Sequence, residues 1–115
     1  MRALLQHQSS NGRFLRAAGE LSEAVGDDDT ALSCWRRLVS GSRAGTERWF
    51  EARYRVLTLL SEIDPDRARE VMRQHKILQP DYGPDPWGAR LKALDIRLRE
   101  KKEGALSSGA SEDQP

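Results

Sequence analysis

The chain has 115 residues, of which 37% are hydrophobic and 32% charged, and its 19 basic side chains nearly balance 18 acidic ones. The length suits one small domain, and the near-neutral charge excludes a strong overall field that would draw the molecule to nucleic acid or an anionic membrane. The apolar runs are too short for a transmembrane helix or a secretory signal, and a single cysteine, Cys34, excludes an internal disulfide, so we expect a cytoplasmic protein.

The first part of the chain is predicted to form two helices after a frayed start over residues 1–9. Apolar residues recur at helical intervals of three or four from Arg13 onward, at Phe14, Leu15, Ala18, Leu21 and Val25. Asn11 is expected to cap this helix, and Gly26 to end it in the left-handed conformation that glycine adopts easily. A second helix is predicted over about 30–39, with a cap among Asp28, Asp29 and Thr30.

Two further helices are predicted after a flexible connector over residues 40–45. Thr46 is a good N-cap for the third helix. The apolar surface of that helix is wider than one stripe and predicts neighbours on two sides; it comprises Trp49, Phe50, Ala52, Val56, Leu57, Leu60 and Ile63. Asp64 followed by Pro65 predicts the start of a fourth helix, which ends near Leu78. Its expected buried residues are Ala68, Val71, Met72 and His75.

A fifth helix is predicted from about residue 86 to residue 101. Asp85 and Pro86 repeat the pattern of a cap followed by proline. The apolar residues of this helix form one narrow stripe, made of Trp87, Leu91, Leu94 and Leu98. One apolar stripe is typical of a helix that closes the end of a stack. From Glu103 the sequence is small, polar and aperiodic, so residues 103–115 are expected to be a disordered tail behind a domain over 1–102.

The two helix pairs repeat each other in sequence. Leu15 and Ala18 precede Trp49 and Ala52 by 34 residues, which is the period of tetratricopeptide repeats. The second pair resembles that family through the pattern Trp49-x2-Ala52-Arg53-x2-Val56, Ala68-x3-Met72 and Pro80. The first pair resembles it through Leu15-x2-Ala18-Gly19-x2-Ser22 and Ala31-x3-Trp35. Arg53 departs from the pattern because the family has glycine there, and Arg43 stands in place of the first proline.

The resemblance covers about 13–98 and looks most like the C-terminal end of a long bacterial tetratricopeptide array. It implies an all-α superhelix of two hairpins, about 13–39 and 46–78, with a capping helix over about 86–101. It also implies a concave face that binds a peptide or a partner helix, with groove positions at Arg13, Arg16, Glu20, Glu23, Glu47, Phe50, Tyr54 and Thr58. Phe50 and Tyr54 have an alternative place between the helix layers. Three repeats are usually needed for independent stability, so we expect either a longer solenoid or self-association.

No residue pattern points to catalysis, a cofactor or a metal. His7 and His75 lack a second ligand at metal-binding spacing, and Cys34 lacks a nearby histidine. The aspartates at 27–29 lack the alternate oxygens and the glycine of a calcium loop, so helix capping explains them better. We therefore expect a noncatalytic protein that uses no cofactor.

The alternative function is contact with nucleic acid through a small basic cluster. The cluster comprises Arg97, Arg99, Lys101 and Lys102, which are predicted to lie at the end of the fifth helix. Cations there complement the helix dipole, and Asp95, Glu100 and Glu103 dilute their field. A solvated helix end accounts for these residues more simply, so a protein or peptide is the expected partner.

Overall fold

The computed structural model describes the backbone of residues 8–112 and the side chains of residues 12–104, and the chain is all-helical over that part. We number the helices α1 (Gln8–Ala24), α2 (Asp28–Gly41), α3 (Glu47–Ile63), α4 (Pro65–Leu78) and α5 (Trp87–Glu112). No β-strand occurs between residues 8 and 112. Most of the predicted frayed start, over residues 1–7, lies outside the described residues, and so does His7.

Helix α1 begins earlier than predicted and ends where predicted. It runs through Asn11 and Gly12, so Asn11 is not its cap. A Cβ atom on Gly12 would lie 2.6 Å from the Nη1 atom of Arg48. The missing side chain therefore leaves room for Arg48 of α3, and the glycine does not interrupt α1. Gly26 has a φ of +80°. Its neighbour Asp27 donates its backbone N–H to the carbonyl of Ser22 at 2.8 Å, which closes the Schellman motif.

Side-chain caps start the next three helices. Asp27 caps α2 by accepting from the backbone N–H of Thr30 at 3.3 Å, so the cap lies one residue before the predicted group of three. Thr46 caps α3 through the N–H of Trp49, as predicted. Asp64 caps α4 through the N–H of Arg67, and Pro65 occupies the first turn, also as predicted. Each cap satisfies a backbone donor that has no partner within its helix.

The bounds of α5 differ from the prediction at both ends. The peptide bond between Asp85 and Pro86 is cis, and the helix begins at Trp87, so Pro86 precedes the helix. The helix continues to Glu112, where the sequence predicted a disordered tail from residue 103. No proline occurs between residues 87 and 112, and alanine, leucine, lysine and glutamate there favour helix. Among the side chains described, which end at residue 104, Leu98 is the last buried apolar residue of this helix.

The chain divides into two compact units with a boundary between Leu59 and Leu60, inside α3. In the first unit the buried apolar residues are Leu15, Ala31, Leu32, Trp35, Leu38, Trp49, Phe50, Ala52, Val56, Leu57 and Leu59. In the second unit they are Leu60, Ala68, Val71, Met72, Leu91, Leu94 and Leu98. His75 is also fully buried, as predicted. Ile63 is 43% exposed, which corrects its assignment to the buried surface of α3.

Gly19 and Trp35 hold α1 and α2 at close range in the first unit. Trp35 has no exposed surface, and a Cβ atom on Gly19 would lie 2.7 Å from its ring atom Cε2. The indole Nε1–H donates to Oε2 of Glu23 at 2.6 Å, and the guanidinium of Arg55 lies 5.1 Å from the ring centroid. The ring therefore has little freedom to move away from Gly19.

Candidate interaction surfaces

The exposed sides of α1 and α3 are joined by ion pairs into one surface, which we call the polar strip. Its members are Arg13, Arg16, Glu20 and Glu23 of α1 with Glu47, Glu51, Tyr54, Arg55 and Thr58 of α3. Arg16 donates to both carboxylate oxygens of Glu51, from Nε at 3.0 Å and from Nη2 at 2.9 Å. Arg55 donates to Glu23 at 3.2 Å. These contacts place oppositely charged groups of the two helices side by side.

Glu20 connects the two cross-helix pairs into a network. Its Oε2 atom lies 3.4 Å from Nη2 of Arg16 and 3.8 Å from Nη2 of Arg55. The pKa of Arg16 is raised above its usual value, mainly by its hydrogen bond with Glu51 and next by the negative charge of Glu51. The charge of Glu20 raises it by a smaller amount. The strip presents both positive and negative groups to the solvent.

Three of the eight predicted groove residues, Arg16, Glu20 and Glu23, take part in the ion pairs between α1 and α3. Four others share the same helix sides by helical spacing: Arg13, Glu47, Tyr54 and Thr58. Phe50 is the exception, because it is only 2% exposed and its ring meets that of Trp49 edge-on at 5.0 Å. Phe50 is therefore a buried core residue and not an exposed groove residue. Tyr54 is half-buried, and so is Thr58, whose hydroxyl donates to the Tyr54 carbonyl at 2.8 Å.

The sequence reasoning missed Glu51 and Arg55, which make the cross-helix pairs. A signal for them was present, because Glu51 follows Glu47 by four residues and Arg55 follows Glu51 by four. Residues at that spacing share one side of a helix. The groove positions implied by the family resemblance do not include these two residues.

Helix α1 also carries an apolar surface that no described residue covers. Phe14 is 68% exposed, Leu21 66% and Val25 70%. Ala18 lies between them and is half-buried. We call Phe14, Ala18, Leu21 and Val25 the apolar seam. The sequence placed all four with Leu15 in one helical pattern, but only Leu15 is buried.

A buried carboxylate organises the second unit. Asp95 is 5% exposed and accepts from the Tyr82 hydroxyl at 2.7 Å and from Lys76 at 3.0 Å. Nη2 of Arg99 lies 3.5 Å from the same carboxylate. Burial acts to raise the pKa of Asp95, but the hydrogen bonds from Tyr82 and Lys76 and the two positive charges outweigh it and hold the pKa below its usual value. Burial and the Asp95 carboxylate raise the pKa of Tyr82.

The contacts of this cluster indicate a structural role. Nε2 of His75 lies 2.8 Å from the carbonyl oxygen of Tyr82, so the histidine side chain contacts the turn that carries Tyr82.

Cys34 is half-buried. Within the described part of the chain, no three metal-ligating side chains come together. A shallow depression of about 380 Å³ beside Arg36, Arg37, Ser40 and Gly41 is open to solvent.

The basic cluster at residues 97–102 lies inside α5, which corrects its predicted position at a helix end. The C-terminal dipole therefore does not explain it. Arg99 faces the Asp95 carboxylate, and Lys101 donates to the backbone carbonyl of Ser61 at 2.7 Å. Arg97 and Lys102 remain exposed. Two of the four cations thus have protein partners, which reduces the field available to a nucleic acid.

None of the helices traced through residues 8–112 combines the length and the apolar character needed to cross a membrane. Comparison of the chain with protein-family models, with curated proteins and with solved structures finds no match.

Proposed function

We propose that this chain is a noncatalytic protein-interaction module of the tetratricopeptide-like kind, and that the polar strip is its peptide-binding surface. The observation that carries the proposal is the pair of cross-helix contacts, Arg16 with Glu51 and Arg55 with Glu23. In the proposed arrangement, α1 and α3 are the first helices of successive hairpins. First helices of this kind line the binding face, and the ion pairs hold their exposed sides together.

Equivalent positions of the two hairpins have equivalent burial, which supports the repeat. Ala31 and Trp35 of α2 are 0% exposed, and their counterparts Ala68 and Met72 of α4 are 0% and 1% exposed. Leu15 and Trp49, which are 34 residues apart, are both buried. A small residue followed by a large one four positions later suits a helix that approaches its neighbour closely and fills the adjacent gap.

Gly19 and Arg53 are the pair that departs from the repeat. Gly19 is buried against Trp35, whereas the guanidinium of Arg53 lies 5.4 Å from the ring centroid of Trp49. Burial lowers the pKa of Arg53. At this position the second hairpin therefore has a cation beside an aromatic ring of its own helix.

The chemistry of the strip favours an extended peptide or a helix that carries both signs of charge. The side chain of Arg16 is 47% exposed, and ion pairs with an exposed member contribute only about 0–1 kcal/mol, so a ligand can compete for Arg16 at small cost. Tyr54 adds an aromatic surface with a polar tip, the combination enriched at protein interfaces. The presence of both signs of charge would select against a uniformly acidic or uniformly basic ligand.

A peptide library displayed on phage, selected on the immobilised chain, tests this proposal, together with affinity capture that uses the chain as bait. We expect selected peptides to contain both acidic and basic residues, and to bind Tyr54→Ala and Arg16→Glu at least about tenfold more weakly than the parent chain. Lys92→Glu is the matched control, because Lys92 is an exposed charged residue of α5 and is not a member of the strip. Equal binding to the parent and both strip variants would refute the proposal.

A further inference from the structure

The charged contacts between α1 and α3 form successive levels, one helical turn apart. At one level, Arg16 of α1 meets Glu51 of α3 at 2.9 Å. Four residues further along each helix, Arg55 of α3 meets Glu20 and Glu23 of α1, at 3.8 Å and 3.2 Å. At both levels an arginine of one helix faces a carboxylate of the other. The polar strip is therefore built as a ladder of oppositely charged partners.

The first level of this ladder lacks a carboxylate. Arg48 lies one turn before Glu51 on α3. Gly12 lies one turn before Arg16 on α1. A Cβ atom on Gly12 would be 2.6 Å from Nη1 and 3.3 Å from Cζ of Arg48, so the guanidinium lies directly against α1. Helix α1 thus offers a glycine at this level, whereas it offers a charged side chain at the next two.

Arg48 and Arg13 have no carboxylate partner in the described part of the chain. Both are exposed, and no ion pair among residues 12–104 includes either of them. Residues 1–11 contain no aspartate or glutamate, so that segment has no carboxylate side chain to offer. Arg13 is three residues before Arg16, so it lies beside Arg16 on the strip. One end of the polar strip therefore carries two arginines that no described carboxylate neutralises.

We propose that an acidic side chain of the bound peptide completes this first level by pairing with Arg48. The proposal rests on the function proposed above, and adds which group of the peptide is recognised and where. A planar guanidinium binds a carboxylate through two parallel hydrogen bonds, and Arg13 adds a second positive charge at the same end of the strip. A ligand breaks no described ion pair to reach Arg48, whereas it must displace Glu51 to reach Arg16.

The acidic residues near Arg48 favour a single carboxylate over the backbone of a nucleic acid. Glu47 directly precedes Arg48 and is exposed, and Glu51 follows it by one turn. Nucleic-acid binding usually neutralises several successive phosphates. Two carboxylates beside the arginines would repel such a row of negative groups, whereas a lone acidic side chain needs only one favourable position.

The peptides selected on the immobilised chain are the probe for this site. Arg48→Gln should weaken their binding at least about fivefold in isothermal titration calorimetry, and Arg48→Lys, which keeps the charge, should weaken it less. Arg36→Gln is the matched control, because Arg36 is an exposed arginine of α2 that is likewise in no described ion pair, and it should change binding by less than about twofold. Undiminished binding to Arg48→Gln overturns the proposal.

Supplying the missing carboxylate from the chain itself is a second test. Gly12→Asp puts a carboxylate on α1 beside Arg48, so it should compete with the peptide and weaken binding several-fold. The added side chain meets only the flexible end of Arg48 and the methyl group of Leu38, so both variants at this position should keep the helical circular dichroism of the parent. Gly12→Asn matches the aspartate in size without its charge and should weaken binding much less. Equal binding by the two variants overturns the proposal.

The acidic residue of the peptide and the proposed function are tested separately. When each peptide glutamate or aspartate is replaced by its amide, one replacement should lose its effect in Arg48→Gln, as expected for groups in direct contact. Binding that Arg16→Glu abolishes but Arg48→Gln leaves intact refutes this inference alone. Binding that neither variant changes also refutes the polar strip as the binding surface. A single-stranded oligonucleotide that binds the parent chain at low salt but not Arg48→Gln overturns the choice of a carboxylate.

Discussion

Replacing Gly19 by alanine tests the packing of α1 on α2 more sharply than any other single change. The added methyl group would lie 2.7 Å from Cε2 and 2.8 Å from Nε1 of Trp35. The ring is held on one edge by its hydrogen bond to Glu23 and on one side by Arg55, so it cannot swing aside without losing those contacts. Overpacking of a core usually costs about 1–3 kcal/mol.

An opposing effect sets the net magnitude. Alanine is better than glycine inside a helix by about 0.5–1 kcal/mol, so the net loss of stability should be at most about 2.5 kcal/mol, with a central value of about 1 kcal/mol. For a chain of this size that is a fall of several degrees in Tm. Urea unfolding followed by circular dichroism at 222 nm measures the change directly.

Gly104→Ala supplies the control, because Gly104 is inside α5 and no atom lies within 4 Å of the position its Cβ would take. It should leave stability unchanged or raise it by up to about 1 kcal/mol. In the background Trp35→Leu, the crowding at Gly19 disappears, and Gly19→Ala should then become neutral or stabilising. Equal effects of Gly19→Ala in the two backgrounds would refute the packing described for α1 and α2.

The remaining predictions concern the ionic contacts. Asp95→Asn should cost about 1–3 kcal/mol in urea unfolding, because the buried Tyr82 and Lys76 contacts lose a charged acceptor, whereas the exposed control Glu100→Gln should stay within about 0.5 kcal/mol. Because the folded-state pKa of Asp95 is lowered, the stability that its ionised carboxylate contributes is complete above about pH 4 and is lost as the pH falls through the folded-state pKa. The free energy of unfolding of Asp95→Asn should therefore fall less on acidification than that of the parent chain. An equal fall in both would contradict the role assigned to Asp95. Arg16→Ala should cost at most about 1 kcal/mol, since its side chain is 47% exposed, and a larger loss would show that the polar strip is structurally essential.

Local signals in the sequence predicted most of the helix boundaries. Gly26, Thr46 and Asp64 each act through residues within five positions of themselves, so their roles follow from short-range backbone chemistry. The N-terminal extension of α1 and the C-terminal extension of α5 were missed for a related reason. Glycine and small polar residues disfavour helix only weakly, and no proline stops either helix there.

The side of each helix that packs against another helix was harder to predict. Phe14 and Leu15 are adjacent and both apolar, but only Leu15 is buried, because helical periodicity cannot tell which of two apolar sides a neighbour covers. Asp95 stands among the leucines of α5 and is buried through Tyr82 and Lys76, which are distant in sequence. Such contacts depend on the tertiary fold and leave no local pattern.

The most direct test of the proposed function is the change in backbone amide chemical shifts when a library-selected peptide is added to the ¹⁵N-labelled chain. The proposal predicts that the largest shifts fall on residues 13–23 and 47–58, and that Arg16→Glu abolishes them at the same peptide concentration. Shifts confined to α4 or α5, or undiminished by Arg16→Glu, would contradict the assignment of the polar strip as the binding surface.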